Sequence, residues 1–210
     1  MRRDPIKIFI ASIRPIGKKC EEYAKNNLPQ NCTIAKNLED ADVIFSIIYD
    51  KIFSDNFLKD RRCYNFHCGI LPCYGGSNSS SWSIINKEDK HGITLHEIDT
   101  GLDTGPIIDI KKLSIRPDET ALSLYTRGEK VIFEMFQEWF ERIILNDYDV
   151  TNQLESVKLY SKKRFERIKD ISHLVRAFYF PGKENLYFYN SFGEKIYVSY
   201  DMRQGDFKNE

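Results

Sequence analysis

The most hydrophobic stretch in the first half of the chain is ADVIFSIIY, residues 41–49. It is short, rich in β-branched residues and apolar without alternation, which is typical of a strand buried on both faces of a parallel sheet. Residues 6–12 have the same character, and helix-like polar segments separate such strands along the chain. This alternation predicts an α/β protein with a Rossmann-like, open and mostly parallel sheet.

The same reading of periodicity predicts the remaining elements. Further strands are expected at 32–36, 63–67, 92–99 and 106–115, and helices at 80–86 and from Asp118 onward. The two strands between 92 and 115 could form an antiparallel excursion or a crossover. The apolar residues of the long helix recur at steps of three and four, so they should pack in the core. After residue 150, aromatic runs on both sides of Asn190 predict a small C-terminal β-hairpin appendage.

The composition argues against a nucleic-acid or membrane partner. The 210 residues include 31 basic and 31 acidic side chains, a net charge of zero, whereas nucleic-acid-binding surfaces are usually basic. No apolar run reaches the ~20 residues that span a bilayer, which predicts a soluble protein. The five cysteines contain no CxxC pair. Without a signal peptide, they favour free thiols in a cytoplasmic protein and suggest no metal site.

One short motif contains most of the functional information. Residues 65–72 read NFHCGILP, so Asn65 and His67 are two positions apart at the end of a predicted strand. Their side chains should point to the same face of the sheet. Asp103 lies in a later glycine-flanked loop, TGLDTG. An amide, an imidazole and a carboxylate can form a catalytic group, but each motif alone can equally be a hydrogen-bonded strand end or a turn.

Together, NFHCGILPCYGG and HGITLHEIDTGLDTGPII resemble the core signature of the 10-formyltetrahydrofolate-dependent formyltransferases. The resemblance implies an enzyme of that fold, with Asn65, His67 and Asp103 at the catalytic positions. Cys68-Gly69 stands where many members have Pro-Ser, and a glycine there resembles sugar-modifying members. The resemblance also implies folate as co-substrate, without a metal. The implied folate-binding residues are Ile48, Tyr49, Leu71, Asp99, Gly101 and Leu102.

The implied chemistry agrees with these side chains. Attack of a primary amine on a formyl group creates an oxyanion, which a fixed donor such as the Asn65 amide can stabilise. Asp103 beside His67 would orient the imidazole and stabilise its charged form. Either group, with a water molecule, can accept protons from the amine. No covalent enzyme intermediate is needed, so Cys68 needs no nucleophilic role.

The acceptor amine must be inferred from the segments around this core. A methionyl-tRNA formyltransferase needs a basic second domain for the phosphates of tRNA, which this chain does not offer. A glycinamide ribonucleotide formyltransferase is the first alternative, although it ends near the long helix. A non-catalytic folate- or nucleotide-binding module of the same fold is the second. The segment HLVRAFYFPGKENLYF is similar to one in sugar N-formyltransferases, which makes this class the leading hypothesis.

That resemblance implies a nucleotide-linked amino-dideoxy sugar, such as dTDP-4-amino-4,6-dideoxyglucose, and a role in surface glycan or O-antigen synthesis. Aromatic rings can stack on the base and basic side chains can meet the pyrophosphate. The same aromatic residues could instead form the core of the appendage. The expected substrate-binding residues are Asn78, Ser80, Arg176, Phe178, Phe180 and Lys183.

The aromatic C-terminal strands also predict a homodimer. A two-stranded hairpin is marginal in water, and an apolar surface of this density is rarely left open on a monomer. We therefore expect residues 1–150 to form the formyltransferase domain. Residues 151–210 should bind the nucleotide sugar and dimerise through the hairpin over 185–200.

Two further histidines are expected to lie outside the catalytic group. His96, on the strand that precedes Asp103, should pack against the loop or brace it. His91 should lie in a solvated turn.

Overall fold

The computed structural model describes residues 4–161 and 177–178, and the backbone of three strands at 187–189, 195–200 and 207–209. Most of the first range folds around a six-stranded sheet. In chain order its elements are β1 (Ile6–Ala11), α1 (Pro15–Asn26), β2 (Cys32–Ile34), β3 (Val43–Ile47), α2 (Asp55–Leu58), β4 (Arg62–His67), β5 (Gly75–Gly76), α3 (Ser79–Ile85), β6 (Lys90–Glu97), β7 (Ile107–Ser114), α4 (Ala121–Ile144) and β8 (Leu159–Tyr160).

The main sheet has the strand order β2-β1-β3-β4-β6-β7. Its first four strands are parallel to one another, whereas β6 is antiparallel to β4 and β7 is antiparallel to β6. The predicted α/β class and the mostly parallel sheet are therefore confirmed. The strands between 92 and 115, for which two arrangements were open, form an antiparallel excursion at one side of the sheet.

The helices α1 and α4 pack on one face of this sheet and bury its main apolar layer. Alternate residues of the central strands point into this layer, as strand geometry requires. The fully buried members on the strands are Ile8, Val43, Phe45, Ile47, Tyr64, Phe66, Ile93 and Leu95. Tyr23 of α1 meets Phe136 and Phe140 of α4 edge-to-face. The predicted core role of the long helix is confirmed, because Met135, Trp139 and Ile143 are buried there.

Specific hydrogen bonds fix both ends of α4. Thr120 caps the N-terminus by accepting from the Ser123 amide at 3.1 Å, and the Ser123 hydroxyl accepts from the Thr120 amide at 3.0 Å. At the C-terminus, the guanidinium of Arg62 donates to the carbonyl groups of Ile143 and Ile144. The carbonyl groups in the last turn of a helix have no amide four residues ahead within the helix, and Arg62 supplies donors to two of them. The first residue of β4 thus holds the end of the helix that covers the sheet.

The opposite face of the sheet is divided between an apolar part and a polar part. In the apolar part, α2 and the loop before it pack against Ala11 of β1, Ile44 of β3 and Cys63 of β4. Farther along the strands, the same face presents polar side chains, which are all buried except for the half-buried Asn65. These are Ser46, Asn65, His67, Thr94 and His96. The candidate site lies on this part of the sheet.

The C-terminal strands are described by their backbone alone. Strand β9 (Tyr187–Tyr189) pairs antiparallel with β10 (Lys195–Tyr200), as the aromatic pattern predicted for a hairpin. A third strand, β11 (Phe207–Asn209), pairs antiparallel with β10.

The prediction of a solvated turn at His91 is also wrong. The side chain is only 1 % exposed because β6 begins earlier than predicted and takes this residue under α3. Nδ1 of His91 lies 3.1 Å from the Ser83 hydroxyl oxygen, and Nε2 lies 3.3 Å from that of Ser80. Burial, followed by the charges of His67 and Arg127, lowers the pKa of His91 from 6.5 to about 3.

This burial predicts that acid destabilises the fold partly through His91. Between the two pKa values the unfolded chain binds a proton that the folded chain excludes, so the free energy of unfolding decreases as the pH falls through that window. His91→Gln removes this contribution while retaining an amide that can pair with the two serines. Between about pH 6 and about pH 4, we expect the variant to lose about 2 kcal/mol less stability than the wild type. Urea unfolding at several pH values measures the difference, and identical losses would contradict the assignment.

Candidate active site

Three neighbouring strands present a row of polar side chains on the face opposite α1 and α4. In the sheet register, Ser46 of β3 is opposite Asn65 of β4, and Asn65 is opposite His96 of β6. The Ser46 hydroxyl donates to Oδ1 of Asn65 at 3.0 Å, and Nδ2 of Asn65 lies 3.1 Å from Nε2 of His96. The row is therefore hydrogen-bonded from one strand to the next.

His96 determines how the Asn65 amide is oriented. Nδ1 of His96 lies 2.7 Å from the carbonyl oxygen of Glu97, which can only accept, so Nδ1 carries the proton. Burial, followed by the charge of His67, lowers the pKa of His96 to about 4. Near neutral pH, Nε2 is thus an acceptor for one Nδ2 hydrogen of Asn65. The other hydrogen of that amide has no partner within the described part of the chain, and it is available to a bound molecule.

His67 lies on the same face as Asn65, as the strand alternation predicted, and it is buried. Its Nε2 donates to the carbonyl oxygen of Tyr74 at 2.6 Å. Its Nδ1 faces Asp103, with 3.6 Å between Nδ1 and Oδ1. The same Oδ1 lies 3.8 Å from Nε2 of His96. The carboxylate of Asp103 is therefore within ion-pair range of both imidazole rings.

Gly69 leaves the space that His67 needs. A Cβ atom at position 69 would collide with the carbonyl oxygen of Tyr74 and lie 2.7 Å from Nε2 of His67. Real Cβ atoms do not approach their neighbours so closely, and the obstructing atoms include backbone. The glycine of Cys68-Gly69 therefore has a structural reason in this chain. It allows the turn after β4 to pass beside the histidine ring.

Asp103 is presented by the loop between β6 and β7. Its backbone has a φ of 57°, in the left-handed region that Asp and Asn tolerate better than most residues. Its Oδ2 accepts from the backbone amide of Gly76 at 2.7 Å. Within the loop, Oδ1 of Asp99 accepts from the Gly101 amide at 3.0 Å and from the Thr104 hydroxyl at 2.6 Å. Asp99 and Gly101, both predicted folate positions, thus shape the loop that holds Asp103.

The remaining predicted folate positions are distributed over three loops. Leu71 is buried, and its amide donates to Oγ1 of Thr94 at 3.1 Å. Ile48, directly after β3, has a φ of 51°, which is an unusual conformation for a β-branched residue and is often found at functional sites. Tyr49 follows it and packs near Phe53. Leu102, beside Asp103, is exposed.

The predicted substrate positions are not brought together in the same way. Asn78 lies two residues after Gly76, whose amide binds Asp103. Ser80 is buried, and its hydroxyl faces His91 rather than an open surface. Phe178 is partly buried against the apolar cluster around Ile84 and Leu124. Arg176, Phe180 and Lys183 lie outside the described residues.

Several residues of the site were not predicted from the sequence. Ser46 orients Asn65, and its only signal was a hydroxyl in the otherwise apolar strand VIFSI. Thr94 donates to the Gly69 carbonyl at 2.6 Å and so fixes the turn after β4. Gln153 donates to the carbonyl of Asp103 at 2.9 Å from a segment beyond α4. No local sequence pattern predicts such a contact between distant parts of the chain.

The arrangement is suited to acid–base and electrostatic chemistry rather than to thiol chemistry. Burial, followed by the charge of Glu129, raises the pKa of the Cys68 thiol to about 12, so it is not a thiolate near neutral pH.

Within the residues that the structure describes, no group of three or more His, Cys, Asp or Glu side chains could hold a metal ion. The same residues include no helix that is long and apolar enough to cross a membrane.

Comparison with known proteins identifies the family. Residues 10–138 match the model of the formyl transferase family. This span contains Asn65, His67 and Asp103. The chain belongs to the formyl transferase family and is a formyl-transferring enzyme.

Individual relatives include enzymes that act on sugars. The chain is 28% identical over 197 residues to the GDP-perosamine N-formyltransferase of Brucella melitensis biotype 1, across 83% of this chain and 75% of that protein. A sugar N-formyltransferase from Shewanella sp. FDAARGOS_354 has a TM-score of 0.80 at 19% identity, across 93% and 97% of the two chains. An N-formyltransferase from Helicobacter canadensis, solved with folinic acid and dTDP-3-aminofucose, has a TM-score of 0.71 at 22% identity, across 96% and 97%. These structures confirm the predicted fold.

The row across the sheet predicts a measurable role for Ser46. Ser46→Ala removes the donor that fixes Oδ1 of Asn65, a hydrogen bond worth about 1 kcal/mol. We expect about a fivefold decrease in the rate of formyl transfer, since each 1.4 kcal/mol corresponds to about a factor of ten. Ser114→Ala, an exposed strand serine on β7, is the matched control and should be unaffected. Steady-state rates check both variants, and full activity of Ser46→Ala would contradict this role.

Proposed function

We propose that this protein transfers a formyl group from 10-formyltetrahydrofolate to the amino group of a nucleotide-linked amino sugar. The observation that carries the proposal is the convergence of Asn65, His67 and Asp103, within a chain of the formyl transferase family. The similarity to a GDP-perosamine N-formyltransferase supports the sugar acceptor. The folinic acid and nucleotide sugar bound to a structural neighbour support both substrates.

Asn65 is proposed to stabilise the charge that develops on the formyl oxygen. Its amide is oriented by Ser46 on one side and by neutral His96 on the other. One N–H therefore has a fixed direction before any substrate binds. Fixed donors of this kind lower a barrier because they need not reorganise as the charge appears.

His67 and Asp103 are proposed to manage the proton. In the reaction a bond forms between the acceptor nitrogen and the formyl carbon, and the bond from that carbon to the folate nitrogen breaks. One proton moves from the acceptor nitrogen to the leaving nitrogen. Asp103 lies 3.6 Å from Nδ1 of His67, so the pair can accept the proton and return it. General acid–base help of this kind contributes about a hundredfold or more to a rate.

The loops around the catalytic group are proposed to hold the folate ring and its formyl group. Leu102 is an exposed apolar side chain beside Asp103, and an aromatic ring of the ligand can cover it. The unpaired N–H of Asn65 fits the formyl oxygen. Ile48, Tyr49, Leu71, Asp99 and Gly101 are proposed to complete the folate site.

The C-terminal region is proposed to bind the nucleotide part of the acceptor. We propose that residues 1–150 form the formyltransferase domain and that residues 151–210 form the module for nucleotide-sugar binding. We propose an amino-dideoxy sugar such as dTDP-4-amino-4,6-dideoxyglucose, a role in surface glycan or O-antigen synthesis, and a cytoplasmic location. The proposed contacts to this substrate are Asn78, Arg176, Phe178, Phe180 and Lys183. Ser80 is left out of this set because it is buried and its hydroxyl faces His91.

A direct assay tests the function. The protein is incubated with 10-formyltetrahydrofolate and a panel of amines, and each product is examined by mass for an added formyl group. The panel contains dTDP- and GDP-linked amino sugars, glycinamide ribonucleotide and methionyl-tRNA. We expect a formyl adduct on a nucleotide sugar. Asn65→Ala, His67→Ala and Asp103→Ala should each decrease the rate at least about a hundredfold, the scale of losing one oxyanion donor.

Cys68→Ser is the matched control, because it changes the residue next to His67 without touching the catalytic group. Its thiol is not ionised in the folded protein, so the variant should remain active. A folded but inactive Cys68→Ser protein would restore a nucleophile hypothesis. Near-native turnover in folded His67→Ala or Asp103→Ala would refute the catalytic assignment. Formylation of glycinamide ribonucleotide alone would select the first alternative acceptor.

We also propose a homodimer that includes the hairpin over 185–200. The support is the density of aromatic residues in β9 and β10, which a second copy can cover. Light scattering at micromolar concentration should give about twice the mass of one 24.7 kDa chain. A deletion from Lys183 onward should abolish the dimer. A monomeric mass in the first measurement, or a dimer that persists after the deletion, would disprove it.

A further inference from the structure

Residues 151–160 follow α4 and run back across the candidate site. We name this segment the strap. Thr151 pairs with Ile107, at the start of the strand that follows the Asp103 loop. At its other end, β8 pairs in parallel with β5, so that Gly75 is opposite Leu159 and Gly76 is opposite Tyr160. The strap is therefore hydrogen-bonded beside the Asp103 loop at one end and to the segment that follows His67 at the other.

The first attachment of the strap concerns Asp103 directly. Nε2 of Gln153 donates to the carbonyl oxygen of Asp103 at 2.9 Å and to that of Gly105 at 2.8 Å. One amide group thus uses both hydrogens on two carbonyls of the same loop. Oε1 of Gln153 is buried and has no hydrogen-bond partner among the described residues, so the side chain makes its hydrogen bonds there only as a donor. The left-handed backbone of Asp103 needs such support, because this conformation is sparsely populated.

The second attachment concerns the carboxylate. Oδ2 of Asp103 accepts from the Gly76 amide, and Gly76 is paired with Tyr160 of the strap. A Cβ atom at position 76 would collide with the Tyr160 backbone, and one at position 75 would collide with Val157. The two glycines therefore permit the strap to lie directly on the loop that holds the carboxylate.

The strap also reaches the histidine. The ring of Tyr160 stacks on that of Tyr74, with 5.1 Å between ring centroids and 7° between the planes. The carbonyl group of Tyr74 accepts from Nε2 of His67. The Lys158 amide donates to the carbonyl of Pro72 at 2.8 Å, in the same turn. One short segment thus fixes the surroundings of both His67 and Asp103.

We propose that the strap is part of the catalytic machinery and that Gln153 is the residue that positions Asp103 against His67. The inference rests on the proposed function for its kinetic consequences, but its structural content is independent of the acceptor. Gln153 contacts no reacting atom and acts through the Asp103 backbone. A displacement of about 1 Å in a catalytic group can cost about a hundredfold in rate, so a positioning residue of this kind has a measurable effect.

The kinetic test compares Gln153→Met with Gln30→Met. Methionine has the length of glutamine but cannot donate, and Gln30 is an exposed glutamine in the turn before β2, outside the site and the strap. We expect Gln153→Met to lower kcat about tenfold to a hundredfold, with KM for the nucleotide sugar within about twofold of wild type. Gln30→Met should leave both constants unchanged. If Gln153→Met retains wild-type kcat, the proposal is overturned.

A double-mutant cycle separates positioning from general destabilisation. In an Asp103→Ala background, single-turnover rates should fall by less than about twofold when Gln153→Met is added, because the carboxylate that Gln153 positions is absent. A full additional loss would show that Gln153 does not act through Asp103. In Gln153→Glu, activity relative to wild type should rise as the pH is lowered, since only a protonated carboxyl group can donate a hydrogen bond, to one of the two carbonyls. An unchanged ratio would count against the donor role.

Hydrogen exchange provides a readout that does not depend on turnover. The backbone amides over 99–105 should exchange faster in Gln153→Met than in wild type or Gln30→Met, whereas those in the middle of α4 should not change. If exchange over 99–105 is unaltered, the strap does not hold the loop and the proposal fails. If the wild type formylates no amine in the panel but exchange accelerates as expected, the proposed function fails and the positioning of Asp103 stands.

Discussion

The pairing register of β3, β4 and β6 is the constraint on which the whole site depends. Side chains alternate between the faces of a sheet, so a slip of one residue would carry the polar groups of a strand into the apolar layer under α4. Phe45, Phe66 and Leu95 are fully buried in that layer. A slip would expose them, at about 1.5–3 kcal/mol for each side chain. The hydrophobic face of the sheet therefore fixes the place of Asn65 and His67 on the other face.

Burying so many polar groups is tolerable because their hydrogen bonds form a connected set. An unpaired amide or charge inside a protein is costly, whereas a satisfied network also removes conformational freedom. The neutrality of His96 is central to this set, because a protonated ring could no longer accept from Asn65. Burial lowers the pKa of His96 to about 4 even though the charge of Asp103 acts in the opposite direction. Desolvation thus decides which way the Asn65 amide points.

The sequence predicts features that depend on residues close together in the chain better than features that depend on distant contacts. The alternation of strands and the shared face of Asn65 and His67 depend on neighbouring residues, and both were predicted correctly. The proximity of Asp103 was predicted only through the resemblance, since spacing alone cannot bring a loop to a strand. The burial of His91 was missed because the turn-like residues before it suggested a later start for β6. Gln153 was missed because its contact joins segments that are far apart in the chain.

The change in composition after residue 150 suggested a boundary there, and the strap that follows it is hydrogen-bonded to the loops around the candidate site. Composition alone does not determine which part of a fold a segment packs with, because this depends on where its backbone groups find hydrogen-bond partners. In the strap these partners are Ile107, Pro72 and the backbone of β5. The strap is also the direct continuation of the chain into the region proposed to bind the nucleotide sugar. A displacement of the strap by a ligand in that region would therefore act on the Asp103 loop and on the turn beside His67 at the same time. The strap therefore links the region proposed to bind the acceptor to the surroundings of His67 and Asp103, because it is hydrogen-bonded to the loops beside both residues.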